Sequence, residues 1–211
     1  MIKNIIFDLG VVLLDVNYQH TIDAFASLGL EKPEEAFSKQ IQDEFFRHYE
    51  RGQITESDFL MGLSARTGRD DIDELRNAWC KMLGELPQAK FHLIKRLSSV
   101  YRLFILSNTN QTHQLWFEKK IDEQYGWRNF SECFEFIGYS HLLNQRKPDK
   151  EAFQFILNEY GLTPKETLFV DDTMEHIEGA RGLGVHVLHY NDGEDLEELV
   201  QTFIKSVLTS F

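Results

Sequence analysis

Four short stretches of this 211-residue chain carry side chains that could act together: Asp8, Ser107-Asn108, Lys147 and Asp171-Asp172. Asp8 closes the apolar run Ile5-Ile6-Phe7, Ser107 follows residues 103–106, Lys147 precedes Pro148, and the acidic pair follows Leu168-Phe169-Val170. A carboxylate inside a strand buried on both faces is costly, so Asp8 belongs where its strand emerges. Carboxylates, a hydroxyl beside an amide, and one cation are the parts of a phosphoryl-transfer site. They supply an oxygen nucleophile, acidic oxygens for a divalent cation, and donors for phosphate oxygens. Taken singly, each has an ordinary use: Asp8 and Asp171-Asp172 as helix caps, Ser107-Asn108 as a turn, Lys147 as a solvated lysine. Their common placement, each at a strand end or in the loop after it, is what joins them.

The elements that must position these groups follow from the hydrophobic pattern. Short apolar strands are expected around Ile5-Ile6-Phe7 and over 101–106, 134–139, 167–170 and 185–189. Helices separate them over 111–121, 149–160, 174–182 and 194–208. Alternation of this kind specifies a doubly wound, Rossmann-like α/β fold with a five-stranded parallel sheet, whose ligands bind at the carboxyl ends of the strands. Residues 17–86 differ: polar and apolar residues recur at helical spacing and no strand is expected. Helices are predicted over 18–28 and 34–51, one capped by Thr55 with Asp58, and one opening at Asp70 or Asp71. A fifth, over 87–98, starts at Pro87. The chain thus divides into an α/β core, 1–16 and 87–211, and an inserted all-helical domain, 17–86.

Composition narrows the partners. A net charge of -12 disfavours nucleic acid, and an anionic ligand would need local help from a lysine, a metal or backbone amides. Hydrophobic residues at 42% supply an ample core, and no run approaches a membrane span. Cys80 and Cys133 lie far apart, without metal-type spacing, as expected of reduced thiols. Asp8 and Asp15 interrupt the apolar N-terminus, so it is expected to be a strand and not a signal peptide, in a cytoplasmic protein.

In combination, Ile5-Ile6-Phe7-Asp8-Leu9-Gly10, Leu106-Ser107-Asn108-Thr109, Lys147-Pro148 and Val170-Asp171-Asp172 resemble the four motifs of the haloacid dehalogenase superfamily. The branch is the one with a helical cap after the first strand, and Tyr49-Glu50-Arg51-Gly52-Gln53-Ile54-Thr55 is similar to its cap signature. The resemblance spans essentially the whole chain. It implies a Mg²⁺-dependent phosphatase of a small phosphorylated metabolite, in which Asp8 attacks phosphorus to form an aspartyl-phosphate. Ser107 and the Asn108 amide would bind phosphate oxygens, and Lys147 would neutralise charge. Asp8, the Gly10 carbonyl and Asp172 would hold the metal, with Asp171 a further contact or an orienting group. His176 stands where the family usually carries another aspartate. All-oxygen ligation favours Mg²⁺ over Zn²⁺.

The chain departs from the family pattern at Gly10, where its phosphatases carry an acid/base aspartate two residues after the nucleophile. An anomeric sugar phosphate would tolerate that loss, since its leaving hydroxyl is comparatively acidic. The Asp-Leu-Gly run resembles a subgroup that includes α-D-glucose-1-phosphate phosphatase. Water activation would then fall to Asp171, Asp15 or Glu50. A 2-haloacid dehalogenase, attacking carbon, and a non-catalytic phospholigand-binding module are the competing expectations. Elsewhere, Glu50 and Arg51 are expected to be a solvated pair, Phe45, Phe46 and Tyr49 to pack inside the cap, and His113, following the second motif, is a candidate to line the pocket.

Overall fold

The computed structural model describes residues 1–34 and 44–209. Much of the helix expected over 34–51 lies outside these residues. Five strands, β1 (Asn4–Phe7), β2 (Arg102–Ser107), β3 (Phe136–Tyr139), β4 (Thr167–Asp171) and β5 (His186–His189), form one sheet in the order β3-β2-β1-β4-β5. Every pairing is parallel. β1 is therefore central, and Phe7 pairs with Ile105 on one side and Val170 on the other.

The strands are apolar throughout because both faces are covered. Ile5, Phe7, Leu103, Ile105, Leu168 and Val170 point into one hydrophobic layer, with Leu93, Ile94 and Leu97 of α5 (Gln88–Ser98) and Val200 of α11 (Leu196–Thr209). Ile6, Phe104, Leu106 and Phe169 point into the other, against Phe153 and Ile156 of α9 (Lys150–Glu159) and Ile177 of α10 (Met174–Arg181). The period-2 alternation thus divides each strand between two packed layers. Between β2 and α9 the chain forms α6 (Gln111–Tyr125), α7 (Trp127–Ser131) and α8 (Ser140–Leu143). The last two escape pattern reading, as five and four residues are too few to display a helical period.

The insertion contributes α1 (Tyr18–Ser27), α2 (Glu44–Glu50), α3 (Glu56–Thr67) and α4 (Ile72–Cys80). Thr55 and Asp58 form the expected reciprocal capping box at α3, and Asp71 caps α4 through the Asp73 and Glu74 amides. Phe59 centres a third apolar cluster, with Tyr49 at 4.2 Å and Trp79 at 5.1 Å between ring centroids. The entering and leaving segments pair where they meet. Asp15 N–H donates to Glu85 O, Gly84 N–H to Asp15 O, and Asn17 N–H to Met82 O, at 2.8–3.0 Å. Both thiols are free, and burial pushes Cys80 up to about 12. Among the described residues no helix is long and apolar enough to cross a membrane.

Candidate active site

Three adjacent strands end side by side, and their last residues meet. Asp8 follows β1 directly, its N–H still in the ladder on Val170 O at 2.9 Å. Ser107 ends β2 and Asp171 ends β4, so the sheet register alone brings these groups together. Immediately beyond Asp8, Val11 adopts φ +65°, and Val12 N–H closes a tight turn on the Gly10 carbonyl at 2.7 Å. Gly10 itself needs no special backbone. A Cβ there would meet only Val16 Cγ2, at 3.5 Å, an ordinary contact. Neither backbone conformation nor contact at Cβ therefore requires glycine at position 10.

Lys147 is fully buried, and its Nζ lies 2.6 Å from both Asp8 Oδ1 and Asp171 Oδ2. An isolated ammonium in that place would cost several kcal/mol of desolvation. Burial pulls Lys147 down, but Asp171 and Asp8 outweigh it and raise it above the usual lysine range. Asp171 is buried too. Lys147 and His176 overcome that burial and hold its carboxyl below the usual range. Asp8 goes the other way: burial pushes it up to about 7, Lys147 opposing and Asp171 and Asp172 reinforcing. A single cation does not satisfy this cluster. Asp8, Asp171 and Asp172 each bring a carboxylate oxygen within 4.8 Å of the others, an all-oxygen set suited to a hard divalent ion. The residues fit such an ion, with the Gly10 carbonyl close by in the chain.

Two further side chains, His176 and Asn108, support the cluster in ways that tertiary packing defines. His176 Nδ1 lies 3.0 and 3.1 Å from the Asp171 oxygens and donates to them, while Thr173 N–H donates to Asp171 Oδ1 at 2.8 Å. Asp171 is thereby saturated, which suits it to orienting Lys147. The five-residue step from Asp171 to His176, into the first turn of α10, was the available signal. Asn108 makes a two-point clasp on the Lys147 backbone, accepting from its N–H and donating to its carbonyl, each at 2.9 Å. Its side-chain amide is therefore engaged in placing Lys147.

Two cavities lie beside this cluster and share Gly10, Tyr18, Glu50 and Asn108 in their linings. One, of about 440 Å³, is polar and is lined by Asp8, Asp172, Tyr18, Glu50, Arg146 and His176, among others. The second, of about 90 Å³, runs from Gly10 and Ser107 under the insertion, between Phe46, Trp79, Met82 and Leu83. Tyr18 borders both, and burial beside Asp172, Glu50 and Asp8 keeps its hydroxyl protonated. His113 does line the smaller cavity. Its Nε2 donates to Trp79 O at 3.1 Å, and burial lowers it to about 4.

Glu50 and Arg51 are not the solvated pair expected. Arg51 reaches Asp149 at 2.8 Å, and Glu50 pairs with Arg146 at 3.0 Å, both side chains of the latter pair being largely buried. The packing of α2 against the core sets them apart. Asp15 is also placed away from the cluster, its side chain 61% exposed and 3.9 Å from Lys90.

Fold and site together define a five-stranded parallel α/β core with a buried aspartate–lysine cluster at its carboxyl edge. The chain belongs to the haloacid dehalogenase-like hydrolase family, whose model matches residues 2–184. It is 29% identical over 207 residues to a D-ribitol-5-phosphate phosphatase of Bacteroides thetaiotaomicron, covering 98% of this chain and all of the relative. Among solved structures it resembles the wild-type HAD family enzyme BT-2542 of the same organism, crystallised with magnesium and inorganic phosphate. That match has a TM-score of 0.84 and 30% identity, over 94% of this chain and 99% of the other. A predicted HAD-like hydrolase of Porphyromonas gingivalis superposes with a TM-score of 0.87 and 30% identity, over 97% and 98% of the two chains.

Proposed function

We propose that the protein is a Mg²⁺-dependent phosphatase of a small phosphorylated metabolite, a sugar phosphate being favoured, and that residues 17–86 form its cap. The observation that carries this is Lys147 Nζ at 2.6 Å from both Asp8 and Asp171, with Asp172 completing an oxygen cluster at the central strand ends. The BT-2542 complex with magnesium and phosphate supports the same assignment.

Asp8 attacks phosphorus, forming a phosphorus–oxygen bond as the bond to the leaving oxygen breaks. Lys147 stays protonated against both carboxylates and screens the approach of Asp8 to an anionic group. Ser107 and the backbone around Asn108 meet the phosphate oxygens. Asp8, Asp172 and the Gly10 carbonyl would hold Mg²⁺, which when bound supplies positive charge to the phosphoryl oxygens and keeps Asp8 ionised. The cap covers the reaction and limits water. The leaving group occupies the space towards the 90 Å³ cavity, whose lining includes Tyr18, Glu50 and Asn108 beside Phe46, Trp79 and Met82.

Gly10 favours one competing reading, attack of Asp8 on carbon in a 2-haloacid, which requires no leaving-group proton. A panel of sugar phosphates, polyol phosphates, nucleotides and 2-chloropropionate separates the two. Phosphate release that EDTA abolishes is expected. Chloride release that EDTA leaves unchanged would replace this function with the other.

A further inference from the structure

The absent carboxylate at Gly10 leaves the second half-reaction without an evident base, and the cavity walls hold few groups able to replace it. Asp8 carries the phosphoryl group and Asp172 belongs to the cation cluster. Asp171 already accepts from Lys147, His176 and Thr173. His176 spends Nδ1 on Asp171, and its Nε2 faces the Asn108 amide at 3.4 Å. Tyr18 is a protonated donor. Glu175 stands exposed on the first turn of α10, and Asp15 lies off the cluster.

Glu50 differs from all of these. It borders both cavities where they meet at Gly10 and Asn108, and its side chain is only 12% exposed. Its position is fixed by consecutive anchors to the core. Tyr49 hydroxyl meets Thr112, Ser140 hydroxyl donates to Glu50 O at 2.6 Å, Arg146 holds the carboxylate at 3.0 Å, and Arg51 pairs with Asp149 at 2.8 Å. Gly52 follows with φ +65°, so close to the core that a Cβ would lie 2.2 Å from His141 O.

We propose that Glu50 is the general base that activates water against the phosphorylated Asp8, an assignment resting on the phosphatase function above. The water oxygen bonds to phosphorus while the phosphorus–oxygen bond to Asp8 breaks, its electron pair returning to the Asp8 carboxylate. The water proton passes to Glu50, inorganic phosphate departs, and Glu50 returns the proton to solvent. The first half-reaction then has no protein acid, and the leaving oxygen takes its proton from solvent. Acidic leaving groups are favoured for that reason.

The test uses Glu50→Gln with p-nitrophenyl phosphate and Mg²⁺ in stopped flow, alongside intact-mass spectrometry. A burst of one nitrophenolate per enzyme is expected, then steady turnover about 100-fold below the unsubstituted enzyme. Phosphorylated Asp8 should accumulate. Asp15→Asn should leave both phases unchanged. Unaltered turnover in Glu50→Gln would overturn the proposal. So would loss of burst and turnover together with circular dichroism and Mg²⁺ affinity intact, since Glu50 would then act before the phosphoenzyme. An unsubstituted enzyme that forms no phosphoenzyme and releases no phosphate would instead defeat the phosphatase function itself, and this assignment with it.

Discussion

The carboxyl edge of the sheet and the strip Tyr49–Gly52 face each other across one cavity, yet they are held by different means. At the sheet edge the backbone does the positioning: Asp8, Ser107 and Asp171 are successive strand ends in a fixed parallel register, and Lys147 is clasped through its own main chain. In the strip, side chains do it, through Thr112, Arg146 and Asp149, on helices that cross to the core and return. A ladder cannot shift one group without shifting its neighbours, whereas side-chain anchors can release together. The arrangement suits an immobile nucleophile facing a cover that admits substrate.

Breaking the rigid side should have the larger effect. Lys147→Met leaves Asp8 and Asp171 buried without a cation, and a broken buried ion cluster costs about 3–5 kcal/mol. Chemical denaturation should show that loss, and phosphate release should fall to background. Stability equal to the unsubstituted chain would mean that the 2.6 Å contacts do not hold the sheet edge together.

The seam between the two regions should respond to pH with a smaller amplitude. His113 on α6 donates to Trp79 O on α4 and is lowered to about 4, whereas an unfolded histidine titrates near 6.5. Above that unfolded value the neutral side chain is present in both states and its contribution is complete. As pH falls from about 6.5 towards 4, the unfolded chain takes up a proton that the folded chain refuses, so stability falls. The loss attributable to this residue is at most about 3 kcal/mol. Unfolding midpoints at pH 7.5 and 4.5 should therefore draw closer together in His113→Gln; an unchanged difference would remove His113 from the seam.

How far the sequence disclosed this site follows the same division. Strand ends are visible as the last residue of an apolar run, so Asp8, Ser107 and Asp171-Asp172 could be located and expected at one edge. Lys147 could be placed only in a loop; that it lies between two carboxylates depends on tertiary approach. His176 and Asn108 acquire their contacts from where α10 and the 146–148 loop pack, and only the five-residue step from Asp171 to His176 hints at them locally. Glu50 and Arg51 read as surface charges because their partners, Arg146 and Asp149, lie far along the chain. The glycine at position 10 was evident at once. Only the geometry showed that a Cβ is accommodated there, which turns attention from backbone constraint to proton transfer.

The central claim is that Asp8 becomes covalently phosphorylated. Rapid acid quench of the enzyme with a turned-over phosphomonoester and Mg²⁺, followed by peptide mass spectrometry, tests it directly. The account predicts one added phosphoryl group on the peptide carrying Asp8, absent from Asp8→Asn, which should also release no phosphate. Sustained phosphate release by Asp8→Asn, or a phosphoryl group on any other residue, would contradict it.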